Sequence, residues 1–256
     1  MTWGHKRQLV YLSVIFIIFI AIIVSLYFWY KPTPTCFDGK MNQTELGVDC
    51  GGACNKACVS QLTPLTIWWS RVFPSSKGVY DVAVLVENQN IDFGTKKINY
   101  LLRVYDKYNV LIAERQGETF FNPREKFVIY ESNIETKEQV AEKVFIFFDE
   151  KAVWQKIKVT SPLISIGAKN YFSTPQTRLQ SNITNNSLDI LRDTKFVAVL
   201  SDKDGNALSV SQTVVDVLLS NESRELNFTW STPLLENPAT IDIYPKLNLF
   251  DEISLD

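Results

Sequence analysis

The sequence predicts a mainly β protein: an N-terminal apolar helix, a small cysteine-bridged knot, and two antiparallel β-sandwiches in series. Three observations carry this. Residues 9–30 read LVYLSVIFIIFIAIIVSLYFWY, without a charge or a proline. All four cysteines fall within residues 36–58. From Leu62 onward, strand-like segments alternate with turn signals almost without a break.

The apolar run comes first. A helix that crosses a bilayer needs roughly 20 apolar residues, and this run reaches that length. It closes on Tyr27, Phe28, Trp29 and Tyr30, side chains that suit the membrane–water interface. Lys6, Arg7 and the α-amino group precede it, and Lys31 in the stretch KPTPT follows. The positive-inside rule then expects a cytoplasmic stub of residues 1–8 and an exported remainder. A cleaved signal peptide competes, but its apolar core spans roughly 7–15 residues and ends in small side chains. Length and the bulky aromatic end favour an uncleaved signal anchor. The lipid bilayer is therefore the partner expected for residues 9–30.

Charge narrows the rest. Two of the 26 Lys and Arg precede the run, which leaves 24 against 28 acidic residues, a net of −4. Nucleic acid and anionic lipid surfaces call for clustered Lys and Arg, so neither is expected as main partner. The exported length suffices for one large or two small domains with cores of their own.

Residues 31–61 form the expected knot. Cys36, Cys50, Cys54 and Cys58 are even in number, clustered and exported, which reads as two disulfides. A four-thiolate zinc site competes, but the three-residue spacings depart from the usual C-x2-C pairs. Three connectivities are open. A segment this small cannot bury enough apolar surface to fold unaided. Asp38, Asn42, Glu45 and Asp49 are closely spaced oxygen donors among Gly39, Gly47, Gly51 and Gly52. Calcium takes six to eight oxygens from such loops, which makes these four the candidate metal ligands and calcium the one candidate cofactor. An EF-hand is excluded because Gln43 stands where that loop needs glycine. The preferred reading is that the four residues are turn-formers bonding their own backbone.

Residues 62–160 and 161–256 are the expected sandwiches. Strands are expected at 65–73, 80–87, 98–105, 111–115, 126–131, 144–148 and 153–159. In the second half they are expected at 163–167, 177–183, 195–200, 207–212, 224–230 and 240–244. β-Branched and aromatic content marks them, and turn residues such as Asp106-Lys107-Tyr108-Asn109 and Asp204-Gly205 separate them. Val82, Val84 and Val86 alternate with Ala83, Leu85 and Glu87. Residues 134–143 read as one or two helical turns or a polar loop. Two landmarks recur about 96–97 residues apart: Val86–Asn90 with Ile183–Ser187, and Tyr100–Asp106 with Phe196–Asp202.

On those residues the first half resembles the FxLYD-type domain and is similar to the late-embryogenesis water-stress sandwich. The resemblance implies an immunoglobulin-like or fibronectin-like fold of exported bacterial and archaeal proteins, with no catalytic set to carry over. It is weaker in the second half, where Leu200-Ser201-Asp202 replaces the Tyr-Asp element. The cysteine segment, C-x-D-G-x-x-N-x-x-E-x-x-x-D-C-G-G-x-C-x-x-x-C, is similar to a short module of surface-anchored proteins. That resemblance implies an extracytoplasmic location and no activity.

Catalytic groups are sparse. The single histidine is His5, in the expected stub. No His-dependent triad can then form in the exported part. The sequence carries no G-x-S-x-G elbow, P-loop or G-x-G-x-x-G. An enzyme is not expected. Trp68 and Trp69 are adjacent, so a regular strand would point them to opposite sides. They are the expected partner-contact residues. Asn88-x-Asn90 is expected to close a strand by satisfying loose backbone groups. The reading is a non-enzymatic envelope protein that presents its sandwiches to another envelope protein or a wall polymer. The alternative is an anchored glycan- or small-molecule-binding protein or hydrolase, with a site on loops 88–97 and 181–193, where Asp92 and Asp193 would matter.

Overall fold

The computed structural model describes residues 3–30, 35–157, 164–230, 234 and 236–252. Lys31 and most of the KPTPT stretch, the end of the strand expected at 153–159, and the expected join at Ser161-Pro162 lie outside them. The chain divides into two compact units, Met1–Cys54 and Asn55–Asp256.

In the first unit, helix α1 (Trp3–Tyr30) is long and apolar enough to cross a membrane, and its apolar window is unburied. The knot that follows holds the disulfide Cys36–Cys54. Cys50 and Cys58 are disulfide-bonded too, and no cysteine is free. A four-thiolate metal site is thereby ruled out, because no thiolate remains to ligate.

Among the described residues, the second unit contains thirteen strands. β1 (Thr66–Ser76), β2 (Val79–Glu87) and β5 (Lys126–Glu135) form one antiparallel sheet. β4 (Leu111–Phe121), β3 (Phe93–Tyr105) and β6 (Lys143–Phe148) form its partner, with β7 (Gln155–Lys156) beside the start of β3. In the second half, β8 (Ile164–Phe172), β9 (Arg178–Asn185) and β12 (Ser223–Thr229) pair as β8-β9-β12. β11 (Ala207–Leu218), β10 (Leu191–Ser201) and β13 (Thr240–Lys246) make the fourth sheet. Both halves thus share one strand order: first, second and fifth strands in one sheet; fourth, third and sixth in the other. Each expected strand has a counterpart and most run longer than expected, but the one expected at 153–159 is reduced to Gln155–Lys156 among the described residues. Residues 134–143 form no helix: β5 continues to Glu135 and a turn closed by Thr136 follows.

Alternation builds the cores. Val82, Val84 and Val86 of β2 face Leu102 and Val104 of β3, with Phe121, Phe127 and Ile146 filling the space between. In the second half Leu179, Ile183, Phe196, Leu200, Leu226 and Phe228 do the same. Yet residues 82–86 and 196–200 are buried at every position, on both faces. Continuous apolar runs are what two-sided burial demands. The second faces meet each other: Ala83, Leu85 and Val128 pack on Val197, Val199, Ala207 and Val210. The sheet β1-β2-β5 of one sandwich therefore lies against β11-β10-β13 of the other, in a third core that joins them side by side.

Candidate interaction surfaces

The landmark asparagines lie at equivalent points of the two sandwiches. Asn88 is fully buried just past β2, where its Nδ2 donates to the carbonyls of Phe93 and Asn122 at 2.8 Å. Its Oδ1 accepts from the backbone and side chain of Asn90. Asn185, equally buried at the end of β9, donates to Asp189, Leu218 and Leu219 carbonyls and accepts from Ser187. Each satisfies backbone groups that a crossing loop leaves without ladder partners. Their donors and acceptors are spent inside the fold, which leaves none to meet a ligand. Asp106 and Asp202 are equivalent as well. One oxygen of each accepts the N–H groups two and four residues on, at 2.8–2.9 Å.

In the knot, Asp49 accepts the Gly39 N–H with both oxygens, at 3.1 and 3.0 Å. Asp38 accepts from Lys40 N and from Asn42 Nδ2. Buried Glu45 accepts the Asn42 N–H at 3.1 Å and touches the Cys54 sulfur, a packing contact because a disulfide sulfur has no proton to give. Asn42 Oδ1 is buried without a hydrogen bond. Among the described residues, the one trio of His, Cys, Asp or Glu with ligand atoms within 4.8 Å of one another is Cys36, Glu45 and Cys54. Two of those are oxidised sulfurs. The four candidate calcium ligands are thus arranged as turn-formers, three of them bonded to backbone N–H groups.

Trp68 and Trp69 share one face of the sheet instead of opposite faces. The register of β1 slips between Ile67 and Trp69, so Trp68 is the extra residue of a bulge. Trp69 packs into the core between the sandwiches. Trp68 is 55% exposed. Its indole donates to Glu87 at 2.7 Å, and the Lys126 ammonium lies 4.0 Å from its ring centroid. Trp68 thus stays more than half exposed, in contact with Glu87 and Lys126, whereas Trp69 is packed between the sandwiches.

A buried ion pair completes that junction. Lys246, at the end of β13, donates to Glu125 Oε2 at 2.8 Å and to the Phe120 carbonyl at 2.6 Å. Its ammonium lies over the rings of Phe127 and Phe120. Burial lowers its pKa to about 8, with Glu125 opposing the shift. Asn122 ties in the next residue through Nδ2 to the Leu247 carbonyl at 2.7 Å. Nothing in the sequence singles out Lys246: it is a lone lysine after Pro245 at the end of the strand TIDIYPK.

Beside this pair a crevice of about 140 Å³ opens between the sandwiches, lined by Tyr100, Glu118, Tyr130, Glu131, Asp193 and Lys195. Asp193 reaches it; Asp92 is not among its lining residues. Tyr100 donates to Glu131 at 2.6 Å and Tyr130 to Asp81 at 2.8 Å. Burial, with these carboxylates, pushes both phenols well above their ordinary range.

The outward face of β4-β3-β6 carries exposed aromatic side chains. Phe145 and Phe147 alternate with buried Val144 and Ile146, and each is about half exposed. In register beside them stand Arg103 and Leu101, then Glu114 and Gln116. Arg103 pairs with Glu114 and lies 5.4 Å from the Phe147 ring. A shallow groove of about 660 Å³ runs past Asn99, Leu101, Gln116, Glu118, Phe147 and Asp149. The sequence signal for this face was the run Val144–Phe148, which is apolar on both faces of the strand.

The resolved carboxylate shifts point downward. Asp202 is lowered by Asn206 side-chain and backbone donors, and Glu222 by the Leu219 N–H and Arg224. Such groups are ordinary turn anions; a general acid needs the opposite shift.

No protein-family model and no curated protein matches the chain. Among solved structures, red sea bream transglutaminase is similar at 13% identity with a TM-score of 0.23, over 73% of this chain and 31% of that one. The chain thus spans about a third of that enzyme's length, and a likeness this slight carries no argument about fold or activity.

Proposed function

We propose that the protein is a single-pass membrane protein, N-terminus cytoplasmic, that presents a rigid pair of duplicated, immunoglobulin-like sandwiches outside the cytoplasm for docking to another envelope protein. The carrying observation is the exposed pair Phe145 and Phe147 on a sheet face whose scaffold is fixed by a third core. Half-exposed aromatics flanked by an Arg are typical anchors of protein interfaces. The apolar helix supports the anchored location. The shared strand order and the matched Asn and Asp anchors support duplication.

A second reading rests on the groove beside Phe147. Amides of Asn99 and Gln116 with carboxylates of Glu118 and Asp149, next to an aromatic ring, suit sugar hydroxyls as well as a protein. Cross-linking in intact cells separates the two. Docking predicts one dominant envelope protein, lost in the double variant Phe145→Ala, Phe147→Ala. Wall material cross-linked in its place would transfer the surface to glycan binding.

A further inference from the structure

The knot is built inside out. Of residues 35–54, the side chains with least exposure are Glu45 at 7% and Cys54 at 1%. Its four large apolar residues all face outward: Phe37 is 89% exposed, Met41 62%, Leu46 59% and Val48 56%. A water-soluble module of this size would hide such side chains or lack them, since large apolar patches on a surface mark a contact. Here the fold does not need them inside. The disulfide Cys36–Cys54, the Asp49 clasp on Gly39 and the Glu45 cap on Asn42 hold the backbone.

What covers these side chains is limited by the chain itself. Five peptide steps separate Tyr30 from Thr35, at most about 18 Å of extended chain. If α1 spans the bilayer, as the proposed function has it, the knot cannot leave the headgroup layer by more than that length. We infer that the knot is an interfacial lipid contact, with Phe37, Met41, Leu46 and Val48 set into the boundary between headgroups and acyl chains. Its charges, Asp38, Glu45 and Asp49 against Lys40, sum to −2. Attraction to anionic headgroups is therefore not the driving force, and apolar insertion is. The knot then acts as a foot on the membrane surface.

The test uses the full chain in nanodiscs of phosphatidylcholine carrying a diazirine near the headgroup end of one acyl chain. After illumination, adducts are mapped by mass spectrometry. Adducts in residues 9–30 report the anchor. Adducts in residues 36–49 report the knot. Both sets are expected, with equal knot yield when a third of the lipid is replaced by phosphatidylglycerol. A quadruple variant, Phe37→Ser, Met41→Ser, Leu46→Ser and Val48→Ser, is expected to lose knot adducts at least five-fold and keep those of the helix. Two intact disulfides, read from its mass before and after reduction, show that its knot is still formed. Adducts confined to the helix would overturn the interfacial knot and leave the anchor standing; adducts in neither would remove the anchor as well.

Discussion

The knot and the sandwiches solve the same problem in opposite ways. The sandwiches place Val82, Val84, Val86 and their partners inside, and hold polar turns together with Asn88 and Asn185. The knot places Glu45 inside and Phe37 outside. Size decides the difference. About a hundred residues per sandwich can bury enough apolar surface to offset chain entropy, and about twenty cannot. A segment held by covalent bonds and backbone-capping carboxylates leaves its apolar side chains available for something else.

The comparison breaks hardest at the third core. Val199→Asp buries an unpaired charge between the sandwiches and is expected to cost about 4 kcal/mol or more, or to uncouple the halves. A single cooperative urea transition that splits into two would show uncoupling. Removing one partner of the buried pair comes next. Glu125→Ala strands the Lys246 ammonium and is expected to cost about 3–5 kcal/mol, whereas replacing both partners, Glu125→Leu with Lys246→Met, is expected to be neutral or stabilising. Equal costs for the two would mean the pair itself stabilises the junction. Asn185→Ala leaves three carbonyls without their donor, at an expected cost of about 2–3 kcal/mol. Asn88→Ala should cost similarly, which a pair of denaturant curves checks.

Alkaline titration sharpens the same comparison. Lys246 binds its proton less tightly folded, at about 8, than unfolded, near 10.5. Its penalty is full below pH 8 and is released as pH rises towards 10.5. Tyr100 and Tyr130 have raised values, so their contribution is present below pH 10 and lost above it. Stability of the sandwich unit should therefore rise from pH 8 towards 10 and fall beyond. The rise should vanish in Lys246→Met. The smallest effect is expected in the knot: millimolar calcium should leave the melting temperature unchanged, because the carboxylates already hold backbone N–H groups. A calcium-dependent increase would show that they rearrange around an ion through the unpartnered Asn42 Oδ1.

The strand list was legible because β-branched and aromatic content and turn residues are local signals, and they sufficed to lay out thirteen strands in both halves. The matched Asn and Asp anchors were legible for the same reason. The role of Trp69 was not. Its direction depends on a bulge, which adds one residue to β1 without any mark in the sequence.

By itself, then, the sequence determined the apolar helix, the oxidised knot, the two sandwiches and their capped turns, all of which follow from composition and short-range pattern. Only the tertiary structure decided that the sandwiches lie side by side, that Lys246 sits in an aromatic cage between them, and that the apolar residues of the knot face outward. Those facts depend on which face meets which. An apolar residue is written the same way whether its cover is a core strand, a second domain or the surroundings.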